Sequence, residues 1–137
     1  MKADTPSSLF HAALQRGAVL FDRRKFFEAH EAWEERWLVE TGEARRLLHG
    51  LIQVAAGFVK LQRRSPRGAV LNLDKGARKL AGLSGARFGL DLEPLLASVA
   101  RWREVAASMD ADGRTDYDAA DLPRLSRRAG RSTGARS

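Results

Sequence analysis

The chain has 137 residues, 44% hydrophobic and 30% charged, with a formal net charge of +7 and no cysteine. That is the length and composition of one soluble domain, and it excludes disulfides, thiolate nucleophiles and cysteine-ligated zinc. No apolar run approaches the ~18 residues of a membrane span and no signal-type core precedes Arg16, so the expected setting is the cytoplasm with no membrane partner.

Periodicity predicts helices throughout and almost no strand. Thr5-Pro6-Ser7-Ser8 is a start signal for a first helix over Leu9–Arg23, with apolar Leu9, Phe10, Ala13, Leu14, Leu20 and Phe21. Arg23-Arg24-Lys25 is a charged turn into a second helix, Phe26 to Glu40, and Thr41-Gly42 is a break with Gly42 suited to a helix C-terminus. The third helix, Glu43–Arg63, is apolar over most of its circumference, which predicts a central position. Its Gly50 and Gly57 cost about 1 kcal/mol each relative to alanine, a sacrifice explained by close approach of neighbouring helices.

Ser65-Pro66 marks a fourth helix, serine as cap and proline at the first position, with Ala69, Leu73, Gly76, Ala77 and Leu80 inward. Gly82–Gly89 reads as a loop. Asp91-Leu92-Glu93-Pro94 opens a last helix to about Ser108, with Leu95, Val99, Trp102 and Ala106 inward. The predicted fold is a single all-α domain, a compact bundle of about five helices over residues 7–109. Residues 110–137 read as an acidic linker and a basic, disordered tail, a flexible extension.

The charge is unevenly placed. From Leu122 onward stand five arginines and no acid, while the preceding 121 residues hold nineteen bases against seventeen acids. Residues 26–43 carry six acids and one base, and residues 60–79 carry seven bases and one acid. Two oppositely charged helices packed side by side would account for this without a ligand.

The segment FFEAHEAWEERW, residues 26–37, is the most informative. At about 100° per residue, Phe26, His30, Trp33 and Trp37 share a stripe, with Glu34 beside it. A histidine and a glutamate one turn apart on a buried face must find partners, or lose roughly 1–3 kcal/mol for each unpaired group. A His–carboxylate pair at i, i+4 can also chelate a divalent metal, with the third ligand drawn from His49, Gln53 or Asp74. Glu31, Trp33, Trp37, His49 and Gln53 are the candidate pocket or second members. The tryptophans read as core or pocket wall rather than base-stacking platforms, because they share the inward face with Phe26. No G-x-S-x-G elbow occurs, and the 110–121 acids lack calcium-loop ligands and glycine at the required places.

FFEAHEAWEERW, with LLHGLIQVAAGF and RGAVLNLDKGARKL, resembles the bacterial and archaeal family known as domain of unknown function 309. The family's H-x-x-x-E-x-x-[WY] signature is met by His30, Glu34 and Trp37, and Gly50-Leu51-Ile52-Gln53 also looks like the family. His49 departs from it, standing where many relatives carry glutamine. The resemblance covers about residues 9–109 and implies an all-helical fold and a suggestion of metal binding, with no established activity.

Three roles remain open for His30 and Glu34: a structural hydrogen-bonded pair, ligands of a divalent metal cofactor, or a metal-free acid–base or ligand-binding pair. The first function class is therefore a small-ligand or metal-binding protein. The second is a non-catalytic interaction module for a protein, or for RNA bound weakly through Arg63, Arg64, Arg67, Arg78, Lys79 and the tail.

Overall fold

A computed structural model describes residues 7–125. They form five α-helices: α1 (Ser8–Asp22), α2 (Phe26–Trp37), α3 (Gly42–Gln62), α4 (Pro66–Leu80) and α5 (Leu92–Asp112), with 3-10 turns at Gly85–Phe88 and Ala119–Asp121. Among the described residues there is no strand, as the periodicity predicts. Among the described residues no helix is long and apolar enough to cross a membrane.

Eleven of the 21 residues of α3 are buried, which makes it the centre of the fold. It packs against α2 on one side and α4 on the other; α1 pairs with α2, and α5 with α4. The α3–α4 contact is close because it is built on glycine. A Cβ on Gly76 would lie 2.9 Å from the Gly50 carbonyl oxygen, and one on Gly50 would lie 2.6 Å from Leu80. The charge asymmetry therefore has a different cause from the one expected: acidic α2 and basic α4 flank α3 instead of neutralising each other across one interface.

Local chemistry explains the helix ends. Phe10 N–H donates to Ser7 Oγ at 3.0 Å, so Ser7 caps α1; Thr5 and Pro6 lie outside the described residues. Pro66 opens α4 as expected, but the Ser65 side chain makes no cap bond. Helix α2 ends at Trp37, earlier than the pattern suggests, because the Arg45 guanidinium takes the Trp37 and Glu40 carbonyls at 2.9 and 3.3 Å. Gly42, expected to close a helix, opens α3 instead with a φ of 64°.

The expected boundary at 109 and the acidic linker need correction. Helix α5 runs on to Asp112, and the chain then folds back so that Leu122 and Leu125 enter the core. Four main-chain carbonyls and an amide hold it there. Arg24 donates to the carbonyls of Pro123, Leu122 and Ala119 at 2.9, 2.8 and 3.2 Å. Trp102 Nε1 donates to Asp121 O at 3.2 Å, and Leu125 N–H to Asp22 Oδ1 at 2.5 Å. Two buried leucines, with Tyr117 edge-on to Trp102, anchor this mostly polar segment. The tail beyond Leu125, including Arg127, Arg128, Arg131 and Arg136, lies outside the described residues.

Candidate functional site

The buried face of α2 is Phe26, Ala29, Ala32 and Trp33. It is turned away from the aromatic-weighted stripe because Ala29 and Ala32, both small, let the neighbouring helices come close. His30 is thus left on the margin, 25% exposed, and Glu34 outside it, 48% exposed. The expected buried His–Glu site is therefore corrected to a pair at the protein surface. Trp33 is not a pocket wall either: it is fully buried, with Nε1 donating to Leu14 O at 3.1 Å. Glu31 is exposed, about 100° around the helix from His30.

His30 Nδ1 and Glu34 Oε1 are 4.0 Å apart, beyond hydrogen-bonding distance. The imidazole lies parallel to Phe27, with ring centroids 6.0 Å apart, and the Arg63 guanidinium lies over the Phe27 ring, 5.4 Å from its centroid. The three expected third ligands are engaged elsewhere, Gln53 beside Arg46, Lys75, Arg78 and Lys79. Asp74 receives Arg103 Nε from α5 at 2.6 Å, and His49 packs on Trp37. Among the described residues no group of three or more His, Asp or Glu side chains could hold a metal ion. The donor set does not fit a metal centre.

Two polar clusters lie along α3 instead, a ring cluster against α2 and a groove against α4. Trp37 of α2 contacts His49, ring centroids 5.2 Å apart, and Arg45 lies 4.0 Å over the same indole. Gln53 follows His49 one turn along α3. Helices α2 and α3 are antiparallel, since Trp37 meets Arg45 while Phe27 meets Arg63. Moving from His49 to Gln53 therefore moves toward the half of α2 that carries His30. On the α4 side, Gln53 and Arg46 line a concavity of about 570 Å³ together with Lys75, Arg78 and Lys79.

The polar groups here are not self-sufficient. His30 Nδ1, Trp37 Nε1 and Gln53 Oε1 are buried atoms with no hydrogen-bond partner among the described residues. The His49 pKa is lowered first by burial and then by the charges of Lys79 and Arg45. The neutral imidazole can donate from one nitrogen and accept at the other.

Residues 14–72 match the family model of DUF309, a domain of unknown function. The resemblance carried by His30, Glu34 and Trp37 thus holds over a span from α1 into α4. The DUF309 match contains every candidate site residue on α2 and α3. Its end at residue 72 leaves Lys75, Arg78 and Lys79, the α4 wall of the groove, beyond it. A comparison with curated proteins gives no match.

Sequence reasoning brought together Trp37, His49 and Gln53 and missed Arg45 and Arg46. It placed Arg78 and Lys79 on a solvated or RNA-facing side. The usable signal was the spacing of Lys75, Arg78 and Lys79 at i, i+3 and i+4, which puts three cations on one helix face.

Proposed function

We propose that this protein binds a small polar ligand in the groove over α3, between α2 and α4, with His30, Trp37, His49 and Gln53 as its polar contacts. The observation that carries the reading is the set of three buried polar atoms without partners, His30 Nδ1, Trp37 Nε1 and Gln53 Oε1, on two adjacent helices. Each such group left unpaired costs roughly 1–3 kcal/mol, and a ligand bearing both donors and acceptors would recover it. The His30–Glu34 pair suits ligand or proton contact better than a structural role. It is partly exposed, while Phe26, Ala29 and Trp33 fix the helix.

A metal-dependent version would need a third donor brought by the ligand itself. The RNA version is less well supported because its residues are divided. Arg63 and Arg64 stand at one end of the bundle, with Arg63 on Phe27 and Arg64 on Thr115. Arg78 and Lys79 stand about 18 Å along α4 from Arg67, which lies 3.8 Å from Asp110.

The test is an NMR screen of the full chain with small amides, carboxylates and heterocycles, following the Trp37 Nε1–H signal. A saturable shift that is lost in Gln53→Leu supports the reading. A Trp37 signal unmoved by the whole set would overturn it.

A further inference from the structure

The groove has one wall of a single charge. Lys75, Arg78 and Lys79 project from one face of α4, Arg46 comes from α3, and Gln53 is the one neutral residue in the lining. No carboxylate lines the concavity, although α2 on the opposite flank of α3 is rich in glutamate. Among the described residues, none of the four cations takes part in an ion pair. The Arg46 guanidinium is fixed in place by the carbonyls of Lys79 and Ala81, which Nε and Nη2 contact at 2.8 and 2.9 Å. Its Nη1 is left over from those contacts.

The helix dipole accounts for only part of this arrangement. Cations in the last turn of α4 offset the partial negative charge of its C-terminus. Arg46 already occupies carbonyls there, however, and Lys75 lies a turn earlier. Four like charges around one concavity repel one another, and an anion between them turns that repulsion into attraction.

We propose that the groove recognises the phosphate group of a small phosphorylated ligand, held between Arg46, Lys75, Arg78 and Lys79, with Gln53 as a neutral donor at its floor. The Arg78 fork, the remaining Nη1 of Arg46 and two ammonium groups can supply the several N–H donors that three or four phosphate oxygens accept, more than one carboxylate can use. A volume of about 570 Å³ leaves room for the rest of a small molecule beside the phosphate. The proposal rests on the groove being a ligand site. It adds the chemical class of the ligand.

The experiment is an NMR titration of the full chain with inorganic phosphate at ionic strength matched by sodium chloride. Saturable shifts at Gln53, Lys75, Arg78 and Lys79 are expected, in the low-millimolar range for the bare ion. Arg78→Gln and Lys79→Gln, both surface changes, should each weaken binding about fivefold while leaving the melting temperature within error. Shifts that never saturate, or that are as large at Arg23 and Lys25 at the far end of the bundle, overturn the proposal. If phosphate fails while small amides or heterocycles still shift Trp37 Nε1–H, the phosphate assignment alone falls. If both fail, the ligand site falls with it. A short single-stranded RNA that perturbs Arg63, Arg64 and Arg67 as strongly as Arg78 and Lys79 would replace the proposal with a nucleic-acid surface.

Discussion

Arg24 and Arg64 occupy the same position in two turns: each is the left-handed residue that closes a helix, with φ of 65° and 62°. Lys25 N–H returns to Leu20 O at 2.9 Å and Ser65 N–H to Lys60 O at 2.8 Å, so both turns are Schellman motifs at one end of the bundle. Glycine is the usual residue there, because a side chain in this conformation costs roughly 1 kcal/mol. The two arginines differ in what they return for that cost. Arg24 clamps three carbonyls of the 119–123 segment, whereas Arg64 makes one exposed 3.3 Å bond to Thr115. Arg64→Gly should therefore stabilise the protein by about 0.5–1 kcal/mol, and Arg24→Gly should destabilise it by about 1–2 kcal/mol. Denaturant unfolding of the two variants reads the difference directly. Changes of the same sign would show that the clamp contributes nothing.

The Trp33 indole rests directly on Gly17 of α1. A Cβ added at Gly17 would overlap the ring at Nε1 and Cε2. The ring cannot swing away without losing its bond to Leu14 O, and Phe21 stands 6.0 Å from it on another side. Gly17→Ala is expected to cost about 3 kcal/mol or more through overpacking and a lost buried hydrogen bond. Trp33→Phe should cost about 1–3 kcal/mol, since it keeps part of the ring contact but loses buried ring volume and the indole bond to Leu14 O. A Gly17→Ala variant as stable as the parent would mean that α1 and α2 can separate freely, against the fully buried state of Trp33.

The segment after α5 makes a third case. Leu122 and Leu125 are 4% and 5% exposed, so each is a core side chain carried by a polar, acidic stretch. Leu122→Ala and Leu125→Ala should each lower stability by about 2–3 kcal/mol. A surface substitution such as Asp116→Ala should change it by less than about 0.5 kcal/mol. Losses below that level at both leucines would return 113–125 to the status of a linker.

The helices were legible because large apolar side chains recur with the helical period: Leu95, Val99, Trp102 and Ala106 of α5 are all buried where periodicity puts them. Rotation was less legible. On α2 the alanines Ala29 and Ala32 decide which side faces in, and a reading led by His30, Trp33 and Trp37 turns the helix too far. Leu122 and Leu125 carry no periodicity at all, since a strap needs only a few anchoring side chains and main-chain bonds to Arg24, Trp102 and Asp22. The groove was half legible. Trp37, His49 and Gln53 could be grouped by helical spacing, but the meeting of α4 with that side of α3 depends on Gly50 and Gly76, whose effect is tertiary.

His49 offers a test of the groove's electrostatics in the free protein. Trp37 of α2 covers one side of it with an uncharged ring, Lys79 reaches it from α4, and Arg45 from its own helix. Burial and these two cations all disfavour the imidazolium, so its folded pKa lies below the ordinary value of about 6.5. The sign for stability follows. Below about pH 6.5 the unfolded chain takes up this proton more readily than the folded one, so stability falls as pH drops toward the folded pKa and the loss is complete beneath it. An NMR titration of the His49 ring should give a midpoint below that of a free histidine, and Lys79→Gln should raise it. Saturating phosphate should raise it as well, because an anion beside Lys79 cancels the charge that depresses it. A midpoint at or above the free value, unchanged in Lys79→Gln, would show that the cationic wall of α4 does not reach the groove floor.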